Sequence, residues 1–265
     1  MQEHSRPDRA LRGARHPLAM VYGGGGVFGI AYTSGVAQGL ADRGLPVRTA
    51  PALGTSAGSW TASAVALGLT YDDFDGLTAP PVPTRRPGIL ADIARELFGE
   101  ASHDLVSVSA VCVRSRRRHI LDGGRYPLAD LVAASSAVPG LLPPHRIDGR
   151  LYIDGGMWSA TSLDAAGEAA HVIVVAPLAG TVMGPMGRAA GFLLERELDR
   201  WRKRHPDSTV TMIRPDRAMA RVAGLHPLAL FDDVRARDVF PMAYEQGLHI
   251  GEQLRVATVG AGTAA

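Results

Sequence analysis

Residues 18–40 read LAMVYGGGGVFGIAYTSGVAQGL. The apolar run Leu18–Tyr22 stops at four glycines, and a periodic segment opens from Gly29 to Leu40. An apolar run, a glycine turn and a helical period, in that order, predict strand, tight loop and helix. The order repeats at once. Ala50–Leu53 is a short strand entering Gly54-Thr55-Ser56-Ala57-Gly58, and a helix follows to about Leu69. Further along, the Pro-rich stretch 79–88 predicts a loop and 88–99 a helix. Leu105–Val113 and His119–Leu121 are β-like, joined by the basic turn Arg114–Arg118. A helix over Pro127–Ser136 and a loop over Pro139–Pro144 lead to a strand, Arg150–Ile153, closing on Asp154-Gly155-Gly156. Val172–Val175 is β-branched throughout, as a buried parallel strand is. Helix 188–204 sets Phe192, Leu193, Leu198 and Trp201 against Glu195, Arg196 and Arg200, and Pro206 ends it. A strand at 209–213 and a helix over roughly 232–255 complete the pattern. Alternating strands and helices predict an α/β fold with a mostly parallel sheet.

The chain has 265 residues, 46% of them hydrophobic and 20% charged, which is long enough to bury its own core. One cysteine, Cys112, excludes an internal disulfide and a cysteine metal cluster; its apolar strand predicts a buried, inert thiol. All but one of the 28 basic residues are arginine, the exception being Lys203, and the net charge is only +2. So small an excess argues against nucleic acid as the partner. No run of about 18 apolar residues exists to span a membrane, and the arginine-rich start lacks the apolar core of a signal peptide. The expectation is a cytoplasmic protein: a disordered basic tail over 1–17, one domain over 18–255 and a flexible C-terminus over 256–265.

Two glycine patterns carry chemistry. Gly24-x-Gly26-x-x-Gly29 arises by chance about 0.4 times in a chain of this composition, so alone it says little. A dinucleotide site would need an acid at the end of the second strand, where Arg48, Thr49 and Ala50 stand instead. The other use of such a turn is a row of backbone N–H groups aimed at negative charge. Gly54-x-Ser56-x-Gly58, between strand and helix, lets a serine hydroxyl project from a helix N-terminus, where the dipole favours an alkoxide. The same position suits an N-cap serine. A nucleophile needs a base. His171, His205, His226 and His249 are candidates in ordinary settings; Asp154, at a strand end, suits a direct dyad, and Asp122-Gly123-Gly124 repeats its tripeptide.

These residues together resemble the patatin-like phospholipase family of bacterial lipid acyl hydrolases. Three motifs stand in the family's order: 23-GGGGVFG-29, 54-GTSAGS-59 and 154-DGG-156. The run 134-ASSAVPGLLPPHRIDGRLYIDGG-156 is similar to the family's segment around its catalytic aspartate almost residue for residue, and the resemblance covers about residues 18 to 255. It implies a three-layer α/β/α fold and a serine–aspartate dyad, with Ser56 as nucleophile and Asp154 as general base. It assigns Gly24, Gly25 and Gly26 to an oxyanion hole, with Gly29, Gly54, Gly58, Gly155 and Gly156 supporting the motifs, and it places Asp122 on a turn. No metal and no cofactor are implied. The implied partner is a lipid or acyl-ester substrate, met in transient contact with a membrane surface. Phe28 stands where many members have Arg, which keeps the backbone donors but removes a cation that an anionic headgroup would use. Ser159, Ala160 and Ser162 stand where many have Asn, Asn and Pro.

The reading is therefore a serine lipid acyl hydrolase of phospholipase A, lysophospholipase or esterase type. An acyltransferase would use the same dyad with an alcohol replacing water. Two other readings are a catalytically silent lipid-binding protein and a serine–histidine–acid esterase built on His226. Trp60 and Trp158, which follow two of the motifs, serve either an acyl pocket or core packing. Arg114–Arg118 reads as a solvated turn, with lipid headgroups the alternative.

Overall fold

In the computed structural model, which describes residues 16–180, 182 and 184–262, eight strands form a single sheet. Strand β1 (His16–Tyr22) pairs in parallel with β2 (Ala52–Thr55) on one edge and with β7 (Ala169–Val175) on the other. Beyond β7 lies the parallel β8 (Thr209–Ile213). Beyond β2 lies the parallel β3 (Val106–Cys112), which turns back as the antiparallel hairpin strand β4 (Arg117–Asp122). Antiparallel β6 (Arg150–Asp154) and β5 (His145–Ile147) complete the sheet.

Side chains alternate across the strands and separate two cores. Met20 and Tyr22 of β1, with Ile173 and Val175 of β7, face the larger one. Helices α1 (Gly26–Asp42), α2 (Ala57–Ala66), α3 (Ile89–Phe98), α4 (Leu128–Ser135) and α7 (Asp233–Gly262) cover that face. Ala19, Val21, Val172 and Val174 face the other, where α5 (Pro185–Arg204) packs Leu194, Leu198 and Trp201. The result is helix, sheet, helix, with most of the helical mass on one side. A short α6 (Arg217–Ala223) follows β8.

Three details differ from the sequence pattern. Phe192 and Leu193 are 64% and 49% exposed, because the stripe Gly187, Leu194, Leu198, Trp201 is what the sheet takes and both residues lie off it. Strand β1 begins at His16, inside the expected tail, whose residues 1–15 lie outside the described residues. Helix α7 runs to Gly262, beyond the helix end expected near 255, while 263–265 lie outside the described residues.

Candidate active site

The site arises from how one strand shares its edges. β4 occupies one edge of β3 from Ser107 to Cys112. The other edge is divided: β2 pairs with Val106–Ser109, running parallel, and β6 pairs with Ala110–Cys112, running antiparallel. β2 and β6 therefore run toward each other and end on consecutive β3 residues, Thr55 beside Ser109 and Asp154 beside Ala110. Where they meet, Ser56 Oγ donates to Asp154 Oδ2 at 2.6 Å.

Ser56 has φ 51° and ψ −121°, a strained conformation for a residue with a side chain. Gly58 makes the turn sterically feasible, because a Cβ there would lie 2.0 Å from the Tyr22 carbonyl oxygen. Neighbouring serines hold the elbow. Ser56 N–H donates to Ser135 Oγ at 2.9 Å, Ser135 Oγ donates to the Ser109 carbonyl at 2.7 Å, and Ser59 Oγ donates to the Ser56 carbonyl at 2.6 Å. Ser56 occupies the N-cap position of α2, yet its hydroxyl makes no capping bond. It is aimed at the carboxylate instead.

Asp154 is buried, and burial pushes its carboxyl up to about 6, although the bonds from Ser56 and from Gly156 N–H (2.6 Å to Oδ1) pull the other way. A base near neutrality suits proton transfer. Gly155 and Gly156 form the 3-10 turn after it, and Asp154 N–H is fixed to the Ala137 carbonyl at 3.0 Å.

The amides of the glycine loop are not alike. Gly24 N–H donates to the Ala160 carbonyl at 2.8 Å, so that amide is committed to the fold and is not a free donor. Gly25 and Gly26 amides have no partner among the described residues. Gly26 starts α1 at φ 61°, and a Cβ there would lie 2.6 Å from the Leu230 carbonyl oxygen. Gly29 packs against Ala57 at the start of α2, and Gly54 lies in β2 under the same turn. Phe28 lies in the larger core, fully buried and stacked 6.4 Å from Tyr32.

Sequence reasoning missed Glu197. From α5 this buried acid accepts Thr161 Oγ1 at 3.0 Å and Leu163 N–H at 3.1 Å, and burial raises its carboxyl. It thus ties down residues 159–163, the segment whose Ala160 carbonyl holds Gly24. Arg118 adds a bidentate pair with Asp164, 2.5 and 3.0 Å, so the last arginine of the basic turn is engaged rather than solvated.

Beside Ser56 lies a cavity of about 200 Å³, bordered by Gly26, Val27, Trp60, Phe74, Leu90 and Ile93 among others. Trp60 lines it and donates Nε1–H to Ser136 Oγ at 3.2 Å. Trp158 does not; it is half exposed under the Arg118 guanidinium. Each candidate histidine is occupied elsewhere: His171 with Thr211, His226 capping Leu228, His249 with Gln253, and His205 against Trp201. Cys112 is buried in β3.

Residues 83–166 match the family model for patatin-like phospholipase. This segment is patatin-like. It contains Asp154 and the run before it, but neither Ser56 nor the glycine loop. A curated relative from Mycobacterium bovis, described as an uncharacterized NTE family protein, is 28% identical over 196 residues, 66% of this chain and 53% of its own length. A Mycobacterium tuberculosis protein of the same description is 29% identical over 167 residues, 56% of this chain and 28% of its own. The chain spans about half the length, or less, of the curated relatives it matches. The crystal structure of VipD from Legionella pneumophila aligns at TM-score 0.45 and 14% identity over 91% of this chain and 67% of that one. No helix among the described residues is long and apolar enough to cross a membrane.

Proposed function

We propose that this chain is a serine hydrolase of acyl-lipid carboxylic esters, with Ser56 as nucleophile and Asp154 as base. The observation that carries the reading is the buried 2.6 Å bond between a strained serine hydroxyl and an aspartate, beside an apolar cavity. Ser56 Oγ attacks the ester carbonyl carbon while its proton passes to Asp154 Oδ2. The amides of Gly25 and Gly26 receive the oxyanion, each donor worth roughly 3–4 kcal/mol in other acyl-transfer enzymes. Collapse breaks the bond to the alcohol, which takes the proton from Asp154. Water then attacks the acyl-enzyme and gives a proton to Asp154; release of the acid returns that proton to Ser56. Transient contact with a lipid surface belongs to the same proposal.

A fluorophosphonate probe tests it, with the adduct mapped by peptide mass. Labelling is expected at Ser56 alone, and Ser56→Ala is expected to abolish hydrolysis of short p-nitrophenyl esters while remaining folded. A folded alanine variant with wild-type turnover would sink the assignment.

A further inference from the structure

We infer that the cavity beside Ser56 takes up one acyl chain of medium length, so that the preferred substrate is an ester whose acyl group has about eight carbons. This rests on Ser56 being the nucleophile and goes on to say what it acylates with. A dry apolar cavity of about 150 Å³ holds one benzene, six carbons, and scaling to the 200 Å³ found here gives about eight. Both chains of a diacyl lipid do not fit together in such a space. The second chain and the headgroup remain outside.

Aromatic packing supports several of the walls. Trp60 packs on Phe98 at 5.9 Å between ring centres and on Phe74 at 6.5 Å, and its indole nitrogen is tied to Ser136. Tyr71 stacks on Phe240 at 4.4 Å. In the segment that lines the cavity between α2 and α3, Thr70 N–H caps the turn Tyr71–Phe74 through Asp73 Oδ2 at 2.7 Å, and Thr84 N–H ties the far end to the Leu141 carbonyl at 2.9 Å. The border also carries exposed Asp75, Asp233 and Arg237, among further apolar residues such as Leu77, Val82 and Leu142. Methylenes that extend past the apolar walls meet charge and solvent, and gain nothing by being there.

The test is a chain-length series of p-nitrophenyl esters from two to sixteen acyl carbons, assayed with the full chain below micellar concentrations. Each methylene that enters the cavity is expected to raise kcat/KM by roughly fourfold. The rise should stop near eight carbons, and sixteen should be no better than eight. An optimum at fourteen or sixteen carbons, or at two, overturns the inference while leaving Ser56 untouched. Hydrolysis of no ester at all overturns the reading of Ser56 and this inference with it. Two wall variants push in opposite directions: Phe74→Ala is expected to move the optimum at least two carbons longer, and Ile93→Trp at least two shorter. If both fold and neither moves it, the cavity is not the acyl site.

Discussion

Asp122-Gly123-Gly124 and Asp154-Gly155-Gly156 are the same tripeptide at the ends of two strands that pair antiparallel with β3. They share one local contact as well. In each, the aspartate Oδ1 accepts the N–H of the second glycine, at 2.9 Å for Asp122 and 2.6 Å for Asp154. What differs is the edge of β3 on which the strand lies. β4 has its edge to itself and runs down to Ser107, so Asp122 emerges into solvent. β6 meets an edge already taken by β2 and stops at Ala110, three residues and about 10 Å short of that level. The blocking strand is the one that leads into Ser56. On the proposed dyad, chemistry at one tripeptide and not at the other is a product of sheet topology, not of the motif.

The sharpest way to break this contrast is to neutralise each aspartate in turn. Asp154→Asn keeps size and shape but cannot take a proton, and turnover is expected to fall on the order of 10³-fold. Asp122→Asn, measured on the same ester, is expected to stay within a few-fold of wild type. An inactive Asp122→Asn beside an active Asp154→Asn would reverse the assignment.

Stability gives a second contrast. The folded pKa of Asp154 is raised from 3.8 to about 6, so the fold binds this proton more tightly than the unfolded chain does. Its favourable contribution is complete below pH 4 and is lost as pH rises through 6, a change of up to about 3 kcal/mol. Asp154→Asn lacks that loss. Relative to wild type, its denaturant midpoint should rise between pH 4 and pH 7; a constant difference across that range would mean that the carboxyl is not desolvated.

A smaller effect concerns the loop that only Asp154 has beyond its tripeptide, the one fastened by Glu197. Glu197→Ala frees Thr161 Oγ1 and Leu163 N–H, and with them the carbonyl that positions Gly24. We expect kcat to fall about tenfold with KM little changed, and Glu197→Gln to restore most of it, because an amide oxygen still accepts. Equal losses in both variants would point to charge rather than positioning.

Much of this was legible in the chain itself. The β-branched run Val172–Val175 announced the central parallel strands, and glycines around a serine announced the turn that bears Ser56. Asp154 stood out from its copy only through the resemblance of the run that precedes it, since the residues alone left both tripeptides and four histidines open. What stayed hidden was tertiary. Nothing local says that Gly24 N–H is taken by a carbonyl 136 residues away, or that Glu197 turns inward from a helix otherwise rich in solvated charge. Phe28 was placed beside the site by its motif and inside the core by the first turn of α1. The three-residue β5 and the seven-residue α6 are too short for any periodicity to register.

The end-to-end meeting of β2 and β6 also makes the site a measure of how far the chain has folded. Ser56 and Asp154 are 98 residues apart in sequence, and neither strand alone brings them within reach. Contacts of that separation carry a large loop-closure cost and form only once much of the chain is already in place. The parallel pairs around β1 can be complete while Ser56 still lacks its bond to Asp154. Reactivity toward an active-site label would then lag behind the return of helix signal during refolding, and would time the arrival of β6 at the upper half of β3.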